Sequence, residues 1–191
     1  QQPDFLIIKN LGASQNWDLY FRGVTGSNQV MEINTTNALT TTGVTVWNSV
    51  DSTKVSARGA SFATSTNSRV VYFWHSVPGF SKFGTYEGTG VAGNYVHLGF
   101  RPALIWIKNV DDTSIKNWGI IDSTRSFANV GNHTLATNLA KAESYYGSGA
   151  SVFGASNKID LLSDGFRLQE TSGFGNTSGI TFLYCAWAEA P

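Results

Sequence analysis

The chain has 191 residues, a length that fits one large or two small domains and allows a sizeable core. Its 13 basic and 13 acidic residues leave no net charge, whereas a nucleic-acid-binding protein normally carries a basic excess. No apolar run approaches the roughly 20 residues of a membrane-spanning helix. We therefore expect neither nucleic acid nor membrane as a partner.

The composition is typical of an all-β protein. Aromatic residues make up 13% of the chain, and it contains 20 glycines. Aromatic and β-branched residues favour strands, while glycine and small polar residues favour turns. Cys185 is the single cysteine and has apolar neighbours, which predicts a buried, unreactive thiol and excludes a disulfide framework.

The first predicted strand is the apolar run Phe5–Ile8, which Lys9 and Asn10 follow. A similar run, Val70–Trp74, comes about sixty residues later. Continuous apolar runs of this length predict strands that are buried on both faces. The chain opens abruptly on its first strand, without a leader pattern, so we expect a piece of a longer protein.

Next along the chain come FGTYEG and YVHLGF, on either side of TGVAGN. Two alternating segments around a glycine-rich turn predict a β-hairpin, here Phe83–Phe100. Further strands are predicted at Leu104–Ile107, Trp118–Ile121, Gly165–Leu168 and Phe182–Trp187. The one helical candidate is Leu135–Ser144, in which apolar residues recur at helical spacing, and we expect at most a short turn of helix there.

The chain also repeats itself. PDFLIIKN near the start aligns with PALIWIKN, which places Pro3 on Pro102, and WHSVP aligns with the terminal WAEAP. Further matches follow in the same order: Asn16-Trp17 with Asn117-Trp118, Asn34 to Ala38 with Asn138 to Ala142, Phe62 with Phe166, Trp74 with Trp187, and Pro78 with Pro191. We therefore predict two tandem antiparallel β-sandwich modules from an internal duplication, residues 1–79 and 80–191.

The predicted hairpin precedes the second copy, and the first copy has no counterpart to it. The first module is then short of two strands, and a sandwich without them exposes a sheet edge. From the sequence we expect the open flank at the Phe5–Ile8 strand. Residues before Gln1 in a longer protein, another subunit, or the same hairpin shared between both modules would cover it.

Segments along nearly the whole chain resemble a repeated module of bacteriophage tail-fibre and other virion proteins, common in marine and cyanobacterial phages. The resemblance rests on WHSVPGFSKFG, YVHLGFRPALIWIKN, NWGIID, LLSDGFRLQ and AWAEAP. It is a family of unknown function, in which the module often occurs in tandem. The resemblance implies a virion surface protein that forms a homo-oligomer, and it implies no catalytic residues, metal or cofactor.

The sequence itself gives little sign of catalysis. His75, His97 and His133 are far apart and have no partner at metal-ligand spacing. Asp122 and Arg125 are placed for a local ion pair, and Asp111-Asp112 lacks the pattern of a calcium loop. A glycosidase pair would form only if the fold brought two carboxylates together, and most of the candidates stand in turn contexts: Glu87, Asp122, Glu143, Asp160, Asp164 and Glu170. We expect no enzyme, cofactor or metal site.

Aromatic residues are the remaining candidates for a recognition surface. Trp17 and Trp118 recur in both copies, and recurrence favours core packing. Unmatched residues in loop-like surroundings are better candidates for variable recognition, although a subunit contact fits them equally well. They are Trp47, Asn48, Glu143, Tyr145 and Tyr146.

These inferences lead to two main functional expectations, and a decoration or baseplate role without receptor contact is a third that the sequence does not separate from a fibre. The first is a non-enzymatic tail-fibre or spike module in the virion, assembled as a homotrimer with other virion proteins and taking part in host-surface recognition. The alternative is a carbohydrate-active surface module that binds or cleaves polysaccharide. Two carboxylates within about 10 Å in a concave pocket would favour cleavage.

Overall fold

The computed structural model describes residues 1–58, 67–111, 117–126, 129–140, 142–145, 158–171 and 175–190. All regular secondary structure in these ranges is β-strand. The chain divides into two compact units, Gln1–His75 and Ser76–Pro191. The all-β class predicted from the sequence, with antiparallel sheets consistent with β-sandwiches, is confirmed.

The first unit contains one large sheet and one hairpin. Its strands, in chain order, are β1 (Phe5–Asn10), β2 (Trp17–Phe21), β3 (Gln29–Glu32), β4 (Thr40–Thr41), β5 (Trp47–Val50), β6 (Val55–Ala57) and β7 (Arg69–Trp74). Five strands form a sheet in the order β4-β3-β2-β1-β7, and β5 pairs with β6. The apolar run of β1 is central because strands flank it on both sides, and all of Phe5–Ile8 is buried.

The hairpin β5–β6 packs on one face of this sheet. Trp47 and Val46 form a buried cluster with Leu6 and Ile8 of β1, and Tyr20, Val50 and Ala57 pack around it. Burial of such side chains contributes about 1.5–3 kcal/mol each. The two layers therefore share a common apolar core.

The second unit has nine strands within the described ranges. They are β8 (Ser81–Glu87), β9 (Asn94–His97), β10 (Leu104–Asn109), β11 (Gly119–Asp122), β12 (His133–Thr134), β13 (Ser144–Tyr145), β14 (Ile159–Leu162), β15 (Gly165–Leu168) and β16 (Thr181–Trp187). One sheet has the order β11-β10-β16-β8 and another the order β14-β15-β9, while β12 pairs with β13.

The predicted hairpin connects the two main sheets of the second unit. Strand β8 pairs with β16 in one sheet, and β9 pairs with β15 in the other. Gly90 and Gly93 in its turn have φ values of 69° and 100°, a region that disfavours side chains. The sheets enclose one apolar core, and its members are Val96, Leu98, Phe100, Ile105, Ile107, Ile121, Ile159, Leu161, Phe166, Leu168, Phe182, Tyr184 and Ala186.

The two units have the same central ladder in the same register. Strand β1 lies between β2 and β7, and β10 lies between β11 and β16. Under the alignment of Pro3 with Pro102, the pair Phe5↔Trp74 corresponds to Leu104↔Trp187. The Asp4 amide donates to the Trp74 carbonyl oxygen at 2.9 Å, and the Ala103 amide donates to the Trp187 carbonyl oxygen at 2.7 Å.

The side-chain hydrogen bonds correspond as well. The Trp17 amide donates to Asn34 Oδ1 at 2.9 Å, and Asn34 Nδ2 donates to Asn16 Oδ1 at 3.0 Å. In the second unit the Trp118 amide donates to Asn138 Oδ1 at 3.1 Å, and Asn138 Nδ2 donates to the Asn117 side chain at 2.9 Å. This correspondence supports an internal duplication, which we propose as the origin of the two units.

One sequence match, Phe62 with Phe166, stays a prediction. The Trp47 amide bonds the Ser27 carbonyl at 2.9 Å, just as the Ile159 amide bonds the Gly131 carbonyl at 3.1 Å. The hairpin β5–β6 therefore corresponds to β14–β15. Phe62, the predicted match, follows β6 and lies outside the described residues.

Two other structural expectations, the domain boundary and a helical segment, can be compared with the fold. The boundary falls after His75 rather than at residue 79, because the backbone of Val77 pairs with Ser81 of β8. The segment Leu135–Ser144, where at most a short turn of helix was expected, has no helix in its described part. Leu135 forms two backbone hydrogen bonds with Ile120, and β13 begins at the end of the range, so strand pairing replaces helix.

Candidate functional site

The first sequence-predicted recognition residue, Trp47, is a core residue. Its side chain is buried in the first unit, its ring packs edge-on against Tyr20, and its Nε1 donates to the Gln29 carbonyl at 2.8 Å. The loop-like surroundings read from the sequence are in fact strand β5. Trp47 is therefore corrected from a surface candidate to a packing residue, and only its neighbour Asn48 is exposed.

Glu143 lies in a charged cluster on the second unit. Its Oε1 is 3.0 Å from His133 Nδ1 and 3.9 Å from Arg125 Nε. Arg125 also forms the predicted ion pair with Asp122, whose Oδ1 accepts the Arg125 amide at 2.8 Å. These side chains form one local network, and exposed pairs of this kind contribute about 0–1 kcal/mol each.

The other two candidates add little to this cluster. The backbone of Tyr145 pairs with His133 in the β12–β13 ladder, and Tyr146 lies outside the described residues. Trp47 and Asn48 belong to the first unit and Glu143 to the second. The structure thus groups Glu143 with charged neighbours of the second unit.

The most unusual surface of the first unit is strand β7, which forms the open edge of its sheet. The sequence predicts a strand buried on both faces, yet Val71, Tyr72 and Phe73 are 39%, 46% and 66% exposed. The prediction was wrong because β7 is the last strand of its sheet, with β1 on one side. The expected open flank at β1 is likewise incorrect, since the uncovered strand is β7.

A groove runs beside this edge. It has a volume of about 300 Å³ and lies between β7 and the β5–β6 hairpin. Its apolar wall is formed by Val55, Val71 and Phe73, and its polar lining is Gln1, Asp51, Ser52, Thr53 and Lys54, with Pro3 at one end. A concave apolar surface of this kind fits a hydrophobic or strand-like ligand.

The groove has one carboxylate among its lining residues, Asp51, and hydrogen bonds hold it in place. Asp51 accepts from the Ser49 hydroxyl at 2.5 Å, from the Thr53 hydroxyl at 2.6 Å and from the Lys54 amide at 2.9 Å. These bonds hold the pKa of this carboxyl well below its usual range. Asp51 therefore closes the β5–β6 turn, and the lining lacks the carboxylate pair that glycoside hydrolysis requires.

A second exposed surface surrounds Trp17. The indole is 36% exposed, whereas the equivalent Trp118 is fully buried. Core packing, which recurrence favours, therefore describes Trp118 but not Trp17. Near Trp17, Asn16 Nδ2 donates to Glu32 Oε1 at 2.7 Å, and Asn37 Nδ2 donates to Glu32 Oε2 at 3.3 Å. The exposed indole and this amide–carboxylate network both belong to the start of β2 and the strand beside it.

Glu170 is the most perturbed carboxyl in the described part of the chain. It is buried, and its Oε1 has no hydrogen-bond partner among the described residues. Burial raises its pKa to about 9, so the carboxyl is protonated at neutral pH. Tyr86 lies nearby, its hydroxyl donates to the Gly175 carbonyl at 2.8 Å, and burial raises its pKa too.

Within the described ranges, no group of three or more His, Cys, Asp or Glu side chains is arranged to hold a metal. The described residues also contain no helix long and apolar enough to cross a membrane. Cys185 is buried, and burial raises the pKa of its thiol well above the usual value, as expected for an unreactive cysteine.

Fold and surface together define an all-β protein of two sheet-based units, one of which has an open apolar edge. Residues 1–191 match the family described as a domain of unknown function, DUF7483, and the chain belongs to that family. Neither curated proteins nor solved structures include a significant match.

Sequence reasoning missed the groove and the open strand for an identifiable reason. The residues of β7 have the same apolar character as those of β16, and burial depends on a neighbouring strand rather than on their own chemistry. The available signal was the hairpin Phe83–Phe100, which within residues 1–191 precedes only the second of the two aligned segments. It predicted an open flank, although on the wrong strand.

Proposed function

We propose that this chain is a non-enzymatic structural module of a bacteriophage virion, in a tail fibre or spike that takes part in host-surface recognition. The observation that carries the proposal is the open β7 edge with its apolar groove. Unpaired strand edges are normally blocked in monomeric proteins, because they template association with another chain. An edge with three exposed apolar residues suits a protein that is assembled from neighbouring modules.

The resemblance to virion modules supports the same setting, as does the low charge content of 14%. Few surface charges leave neutral surface for association with copies of the chain and with other virion proteins. We propose a homotrimer in the assembled appendage. Light scattering on the purified chain should give a mass three times that of the 20.6 kDa monomer, and a strict monomer at high concentration would contradict the trimer.

The virion setting has a direct test. An antibody raised against residues 1–191 should label the tail or a surface appendage of purified virions in immunogold electron microscopy. Labelled protein should also bind host cells, and removal of their surface polysaccharide should abolish the binding. An absence of gold label on virions would refute the structural role. Gold label on an appendage, without binding of the labelled protein to cells, would leave only the structural role.

The surface around Trp17 favours a second candidate function, binding of carbohydrate. Aromatic faces pack against the apolar faces of sugars, and side-chain amides and carboxylates complete the hydrogen bonds. Trp17→Ala should then weaken binding to the host polysaccharide at least tenfold, while Trp17→Phe should retain most of it. Because Trp17 is partly exposed, thermal unfolding of both variants should stay close to that of the parent. Equal binding by Trp17→Ala and the parent would exclude this site.

A further inference from the structure

The open edge of the first unit has a covered counterpart in the second. Strand β16 corresponds to β7, and β8 pairs with it over seven residue pairs, from Ser81↔Trp187 to Thr181↔Glu87. Each residue of Phe182–Ala186 is at most 4% exposed. The same strand position is therefore covered in one unit and open in the other.

The hairpin β8–β9 also supplies apolar side chains to the core of the second unit. Its strand β9 pairs with β15 in the opposite sheet. Val96, together with Leu98 and Phe100 just after the strand, packs in the common core with Tyr184 and Ala186. One hairpin therefore closes both sheets and fills the space between them.

The first unit has the two strands that such a hairpin would join. Its β7 corresponds to β16, and its β6 corresponds to β15. Within the residues that the structure describes, neither has a second strand neighbour, and the groove lies between them. Val71 and Phe73, which line the groove, hold the register positions of Tyr184 and Ala186, so they face the space that the hairpin fills in the second unit.

We propose that the groove and the β7 edge bind a β-hairpin of the β8–β9 type that belongs to a neighbouring module. Its first strand pairs antiparallel with β7, and its second strand pairs with β6. The register of the second unit sets the alignment: Phe83 stands opposite Cys185, so the corresponding residue of the incoming strand stands opposite Tyr72. The inward side chains of the incoming hairpin fill the groove beside Val71 and Phe73.

The occupant is an additional hairpin rather than the one in a second copy of this chain. The hairpin of each copy already pairs with its own β16 and β15, and Val96, Leu98 and Phe100 are already buried in the core of the second unit. To release it would expose the core of the second unit. A hairpin in front of β1, as β8–β9 stands in front of β10, would need no such exchange.

A fusion tests the proposal with the full chain. A second copy of residues 76–101 is placed directly before Pro3, because the original copy directly precedes Pro102. The control fusion carries Val96→Asp and Leu98→Asp in the added copy alone, which places charges where the hairpin should face the groove. A third protein combines the intact fusion with Phe73→Asp in the first unit.

The intact fusion should raise the Tm of the first unit by about 5 °C or more. It should also slow hydrogen exchange of the β7 amides at least tenfold, because it pairs the open edge. The control fusion and the fusion with Phe73→Asp should lose both effects, while Phe73→Asp in the unfused chain leaves its Tm unchanged. The proposal would be overturned if the intact fusion changed neither the Tm of the first unit nor the hydrogen exchange of the β7 amides. It would also be overturned if the β7 amides of the dilute unfused chain exchanged as slowly as those of the intact fusion, because another surface would then cover the edge.

Discussion

Phe73 and Ala186 hold the same register position in their two sheets, yet one is exposed and the other is buried. Phe73 pairs with Leu6, and Ala186 pairs with Ile105, the residue that aligns with Leu6. The exposed fractions are 66% for Phe73 and 0% for Ala186. The difference arises from β8, which lies beside β16 and has no described equivalent beside β7.

This relationship predicts opposite responses to the same substitution. Phe73→Asp should change the free energy of unfolding by less than about 0.5 kcal/mol, because it replaces a mostly exposed side chain. Ala186→Asp should cost more than about 3 kcal/mol, because it buries an unpaired carboxylate. Urea unfolding of the two variants provides the comparison. Equal costs at the two positions would show that β7 is covered in solution.

The uncovered edge also predicts self-association of the isolated chain at high concentration. An unpaired apolar strand templates pairing with another, and a lysine on the edge blocks it. Val71→Lys should reduce the rise of mass with concentration in light scattering. Val91→Lys is a matched control, since Val91 is equally apolar and 65% exposed in the β8–β9 turn. If both variants behave like the parent, association does not use β7.

The paired asparagines allow a test of the correspondence between the units. Asn138 fixes the backbone next to the fully buried Trp118, whereas Asn34 does the same beside the partly exposed Trp17. Asn138→Ala should cost about 1–3 kcal/mol, because it leaves a part-buried amide without its acceptor. Asn34→Ala should cost less, since water can replace its bonds.

The measurement is chemical unfolding of both variants, with Asn48→Ala as a control. Asn48 is an exposed asparagine of the first unit, and its loss should leave stability nearly unchanged. Equal costs for Asn138→Ala and Asn48→Ala would show that the shared hydrogen bonds do not hold the strands in place.

Much of the fold could be predicted because its strands are encoded locally. The apolar runs at β1, β10 and β16, and the hairpin around TGVAGN, give strand and turn signals within a few residues. The prolines and tryptophans also gave the alignment of the two copies, and the register of the ladders agrees with it. Local chemistry was sufficient for these features.

Features that depend on distant partners could not be predicted in this way. Trp47 is buried because the β5–β6 hairpin packs on β1, and nothing in its neighbours along the chain indicates that contact. Leu135 has helical spacing with later apolar residues, but pairing with Ile120 competes with a helix there. The exposure of β7 follows from the strand beside it, so its own sequence was misleading.

The buried Glu170 predicts a specific pH dependence of stability. Its pKa is raised to about 9 in the folded chain, while an unfolded glutamate has a pKa near 4.5. Between these values the folded state holds one more proton than the unfolded state. Its contribution to stability is therefore complete below about pH 4.5 and is lost as the pH rises towards 9, by up to roughly 1.4 kcal/mol for each pH unit.

Glu170→Gln removes the titration and keeps the size of the side chain, so the stability of this variant should fall much less between pH 5 and pH 8 than that of the parent. Urea unfolding at several pH values in this window gives the slope. The window ends at pH 8 because burial lowers the pKa of Lys108 to about 8, and that residue adds an opposite slope above this pH. Glu87→Gln, at an exposed position, should keep the slope of the parent. A parent whose stability does not fall from pH 5 to pH 8 would show that Glu170 is ionised in the fold, with a partner or water at its Oε1.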